Sequence, residues 1–95
     1  MDQWQPVSNK AELSKAIGRN LKALRRQRFP SDDQARFASR IGVARYTYQK
    51  MERGDASVAF GSYMAAAEML GVADQFARLF SVPEQPVDLI GELDL

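Results

Sequence analysis

QARFASRIGVARYTYQKMERG, residues 34–54, holds two short amphipathic stretches separated by Gly42. In the first, Phe37, Ala38 and Ile41 recur at helical spacing on one face; in the second, Tyr48 and Met51 do so, with the apolar Val43 between them. Two short helices sharing one small core follow from that pattern. Gly42 stands where a helix C-terminus takes a left-handed residue, and Gly54 repeats the stop signal after the second stretch. The outward positions of the second helix are then Arg45, Tyr46, Thr47, Gln49 and Lys50. A second helix packed this way leaves its first turn and outer side free to enter a DNA major groove.

The segment resembles the Cro/CI-type helix-turn-helix family, also called the xenobiotic-response-element family, whose usual reading is T-Q-x-x-L-A-x-x-x-G-V-S-x-x-T-I-x-x-x-E-x-G. Gln34, Ala38, Gly42, Val43, Thr47, Glu52 and Gly54 match, with Phe37 at the Leu position and Met51 at a variable apolar one. The chain departs at Asp33 in place of Thr, at Ala44 where Ser or Thr would cap the helix, and at Tyr48 where Ile or Val is usual. Ala44 lacks the capping oxygen, which predicts a weak start to that helix. The loop from Arg25 to Gln34 is also about two residues longer than is common. The resemblance implies an all-α, five-helix, lambda repressor-like domain.

It also implies roles for individual residues. Arg25 and Glu52 are expected as a structural ion pair, a stronger reading than Arg25 simply joining the basic run with Arg26 and Arg28. Gln34 is expected at a DNA phosphate, aided by the helix N-terminus, in competition with a capping-box role beside Ser31. Arg45, Tyr46, Gln49 and Lys50 stand at base-reading positions; Arg and Lys suit guanine O6/N7, and Gln suits adenine. Any one of them alone is more simply an exposed polar side chain, and the functional reading rests on the set. Thr47, Arg53, Arg19 and Arg40 are the remaining phosphate candidates.

Net charge is only +1, yet it is unevenly placed. Up to Gly54 there are 12 Lys and Arg against 5 Asp and Glu, giving 12 − 5 = +7; from Asp55 onward 1 against 7 gives 1 − 7 = −6. A basic half that contains the motif is the footprint of a phosphate-backbone binder, and an acidic half is repelled from the same polyanion. With 0 Cys and 0 His, disulfides, Cys/His zinc sites and histidine catalysis are excluded. The scattered Asp, Glu and Lys form no nucleophile–base pair or metal-ligand spacing, so neither an enzyme nor a cofactor is expected. No apolar run reaches the ~20 residues of a membrane span and MDQWQPVSNK is not a signal peptide, so a cytoplasmic protein is expected.

At 95 residues and 45% apolar, one marginally stable domain is expected, with help from a second subunit. Residues 1–9, with Pro6 and Trp4, read as a flexible arm. Asn9 and Glu12 form a capping-box pattern, and Leu13, Ile17, Leu21 and Leu24 make a stripe for a first helix through about Gln27, ended by Phe29 and Pro30. Ser31 with Gln34 repeats the capping pattern, and Asp32 and Asp33 suit the positive end of the second helix. Ser57 offers a cap for a fourth helix with Phe60, Tyr63, Met64, Ala67 and Leu70 on its apolar face, closed by Gly71. A fifth helix from about Asp74 to Phe80 would present Phe76, Leu79 and Phe80, more apolar surface than so small a domain buries alone. The domain is thus placed at residues 10–80.

The remaining residues, 81–95, carry Pro83, Pro86 and the acidic, apolar run EQPVDLIGELDL; whether they order against a neighbour is left open by composition. Phe76, Leu79, Phe80, Val87, Leu89 and Ile90 are the expected dimer or partner surface. Phe60, Tyr63, Phe76 and Phe80 lie in the acidic half at helical spacing, unlike a single-strand stacking platform. GDASVAFGSYMAAAEMLGV, through Val58, Gly61, Leu70 and Gly71, also resembles the fourth-helix region of HipB-like antitoxins. The expected function is a homodimeric, sequence-specific duplex-DNA regulator, most simply an autorepressor on a palindrome with half-sites about 34 Å apart. The alternative is an antitoxin that restrains a kinase-type toxin protein as well as binding DNA.

Overall fold

The computed structural model describes residues 9–83. Among them are five helices and no strand: α1 (Lys10–Arg28), α2 (Gln34–Ile41), α3 (Arg45–Glu52), α4 (Phe60–Leu70) and α5 (Ala73–Ala77). The expected arm 1–9, apart from Asn9, and the expected contacts Val87, Leu89 and Ile90 lie outside the described residues.

The helices form where local chemistry starts and stops them. Asn9 Oδ1 accepts from the Glu12 backbone N–H at 2.8 Å and opens α1. Three arginines, Arg25, Arg26 and Arg28, sit in its last turn, where positive charge favours the helix dipole. At the end of α2, Gly42 takes φ 74°, and its N–H closes on Ala38 and Ser39 carbonyls, so the chain reverses into α3 within three residues. Ala44 supplies no side-chain cap to α3. The first turn nevertheless closes through Tyr48 N–H to the Ala44 carbonyl at 3.0 Å, with the Tyr48 side chain buried beneath it.

Phe37, Tyr48 and Met51 are the largest fully buried side chains, joined by Ala38, Leu21, Ala66 and Leu70. Phe37 links two tilted aromatic pairs, with Phe29 at 5.5 Å and with Tyr48 at 5.3 Å. This core clamps α2 and α3 together, with α3 set against α1 and α2 against α4. The crossing of α1 by the end of α3 is very close: a Cβ at Gly18 would stand 2.5 Å from the Glu52 carbonyl oxygen and 2.7 Å from Gly54 N. Only glycine permits that approach.

Four local expectations are corrected. Asp33, not Ser31, caps α2, its Oδ1 accepting from the Arg36 N–H at 2.8 Å. Ser57 does not cap α4; both its N–H and its hydroxyl donate to Asp55 Oδ1, and the Ala59 position opens the helix without a side-chain cap. The α1 stripe is only half used, since Leu21 is buried but Leu13 and Ile17 remain 49% and 45% exposed. And α5 is shorter than expected, ending at Ala77; Arg78–Phe80 form a turn in which Phe80 takes a positive φ and stands fully exposed.

Candidate nucleic-acid interface

The outer face of α3 carries the expected set. Arg45 and Tyr46 are exposed, Thr47, Gln49 and Lys50 are half-buried along the helix flanks, and Arg53 is exposed just past its end. The Lys50 ammonium lies 5.4 Å from the Tyr46 ring centroid, one helical turn apart, a cation–π contact that restricts both side chains. None of Arg45, Tyr46, Gln49 or Arg53 donates a side-chain hydrogen bond within the described residues, so their polar groups are available to a ligand.

Behind this face is a buried polar cluster. Arg25 grips Glu52 through Nε at 2.7 Å and through Nη2 at 3.3 Å, while its Nη1 donates to the Asp32 carbonyl at 2.8 Å. Tyr48 Oη and Gln34 Nε2 also donate to Glu52, the latter at 2.8 Å. One carboxylate at the end of α3 thus receives donors from α1, α2 and α3 itself. Burial pushes the Glu52 carboxyl up, but the hydrogen bonds from Arg25, Tyr48 and Gln34 outweigh it and hold Glu52 below the usual carboxylate range. Arg25 is raised by the Glu52 hydrogen bond, and Tyr48 is raised by burial and by its bond to Glu52. Among the described residues no buried side-chain polar atom lacks a partner, so the cluster is a rigid brace rather than a strained one.

One amide N–H of the half-buried Gln34 donates to Glu52 rather than to a cap beside Ser31. Arg40 is likewise engaged, its Nε 2.5 Å from Asp32 Oδ2 and its guanidinium 4.8 Å over the Phe29 ring. The hydrogen bond from Arg40 holds Asp32 below its ordinary range. Together with Arg25 bonding the Asp32 carbonyl, these contacts fasten the long loop between α1 and α2. Arg19 is exposed on α1.

Sequence reading missed three features. Tyr48 and Glu52 are one helical turn apart, and that spacing was the available signal for their bond. The Asp32–Arg40–Phe29 cluster had no local signal, because its members are brought together only by the fold. Lys22 and Arg26 line, with Arg25, Pro30, Asp32, Asp33 and Gln34, a polar cleft of about 480 Å³ at the start of α2. Gly61, quoted in the antitoxin resemblance, has open space around it, and nothing in the structure explains a glycine there. None of the described helices is long and apolar enough to cross a membrane.

No protein-family profile, curated protein or solved structure matches this chain.

Proposed function

We propose that the chain is a Cro/CI-type helix-turn-helix regulator that binds duplex DNA sequence-specifically, as a homodimer on a palindromic operator, and represses from it in the cytoplasm. The observation that carries this reading is the face of α3. Arg45, Tyr46, Gln49 and Lys50 share one short helix whose opposite side is fixed by Tyr48, Met51 and the Glu52 cluster. A short helix so braced can be pushed into a groove without deforming, and its side chains match base-edge chemistry. The basic half of the chain supports the reading, since 12 of its 13 Lys and Arg lie at or before Arg53.

In this reading Arg45, Gln49 and Lys50 contact base edges, Tyr46 packs on a thymine methyl or bonds a phosphate, and Thr47, Arg53 and Arg19 meet phosphates. Gln34 and Arg40 act indirectly, by fixing the pose of α3 and of the loop before α2. Two copies joined near the exposed end of α5 would present two such helices. Footprinting on DNA upstream of the protein's own reading frame tests this directly. The expected result is a pair of protected half-sites one helical turn apart, fading steeply as salt rises. Uniform protection, or protection indifferent to salt, contradicts it.

A second reading, an antitoxin that also binds a toxin protein, is favoured by one observation: Phe60, Met64, Leu79 and Phe80 are exposed in the acidic half. Co-purification with a kinase-like partner from the source cell supports it; a chain that purifies only with itself and DNA removes it.

A further inference from the structure

One apolar surface is left open by the five helices. A groove of about 460 Å³ runs between α1, α4 and α5, floored by Leu21, Ala66 and Leu70 and walled by Ile17, Phe60 and Phe76. Phe60 and Phe76 pack ring to ring at 5.3 Å across its rim, so the walls are preformed. Yet Ile17, Phe60 and Leu79 along it are about half exposed. Covering such a surface removes apolar area from water, which favours an occupant.

We propose that this groove is the docking site of the chain's own residues 84–95, which lie outside the described residues. Two observations point to that occupant. The first is position: Leu79 lines the groove, and the described residues end four positions later, at Pro83. Twelve residues reach at most about 40 Å when extended, against about 28 Å for the 19 residues of α1 that form the long wall. The second is chemistry: the segment offers Val87, Leu89, Ile90, Leu93 and Leu95 to an apolar trough.

Tethering decides between the chain's own segment and that of a second copy. A short linker holds its end at an effective concentration on the order of millimolar, above that of a free second chain in ordinary solution. Phe80 is not among the groove's lining residues and stays free for the dimer contact proposed above. The docking does not rest on DNA binding and is tested separately from it.

The chain has 0 Cys, so Asp94→Cys gives a unique attachment point for a nitroxide spin label on the full-length protein. With the label and the ¹⁵N isotope in the same chain, the amide signals of Ile17, Phe60 and Phe76 should lose more than half their intensity, while Arg45 and Gln49 keep theirs. Adding Ile90→Asp to the labelled chain should restore them. In a mixture of spin-labelled and separately ¹⁵N-labelled chains the groove signals should be unaffected. Unbroadened groove signals, broadening spread equally over α3, or equal broadening in the mixed sample each overturn the proposal, the last because the occupant is then a second copy.

Discussion

Glu52 receives hydrogen bonds from Arg25, Tyr48 and Gln34 within one buried site. Removing one partner of a buried, hydrogen-bonded ion pair leaves the other charge without compensation and costs about 3–5 kcal/mol. Glu52→Ala is therefore expected to unfold most of the population of so small a domain, read by urea denaturation with far-ultraviolet circular dichroism. Tyr48→Phe, which removes a hydroxyl but keeps the packing, should cost only about 1 kcal/mol. Equal effects from the two substitutions would remove Glu52 from the centre of the cluster. The same carboxylate sets an acid limit. Its ordinary value is 4.5 and the folded value is lower, so its contribution is fully present above pH 4.5 and is lost as pH falls through the folded value. Asp32, held down chiefly by Arg40, adds a similar loss below its ordinary 3.8. The melting temperature should fall with pH below 4.5, and Glu52→Gln should flatten part of that slope; an unchanged slope would show that other carboxylates carry it.

At the level of the helices, what was legible in the sequence was whatever is decided locally. The end of α2 and both ends of α3 followed from Gly42, Gly54 and the apolar spacing, and the start of α1 followed from Asn9. What was not legible needs a partner distant in the chain. Gly18 reads as an ordinary weak point of a helix until the end of α3 is seen crossing it, and Arg40 reads as a free cation until the loop brings Asp32 to it. For Gln34 the sequence offers a phosphate or a cap beside Ser31, and its bond to Glu52 is legible only once the end of α3 is brought to the start of α2. Two substitutions test these elements. Ala44→Ser adds the oxygen that α3 lacks and should raise stability by about 1 kcal/mol, or about 4–8 °C in melting temperature. Gly18→Ala introduces a Cβ into backbone at 2.5 Å and should lower it by more than helix propensity would raise it. A stabilised Gly18→Ala protein would mean that α1 and α3 can move apart freely.

For the molecule as a whole, the division of labour is electrical as well as structural. The basic part holds α1, α2 and α3, and the acidic part holds α4, α5 and the residues beyond them, meeting through the shared core at Leu21, Ala66 and Leu70. Composition and motif made that division visible, but the sequence did not disclose the open groove on the side of α1 that Leu13 and Ile17 leave half used. The proposed activity depends on α3 facing outward from the basic part. Competition binding, with a labelled duplex from upstream of the gene against unlabelled random duplex, measures that most directly when run on the full chain and on Arg45→Ala. The parent protein should prefer its own site, and the substitution should weaken specific binding by about 1–3 kcal/mol, nearly abolishing the preference, with the fold intact. A parent protein that shows no preference among duplexes, or an alanine variant that discriminates as well as the parent, would contradict it.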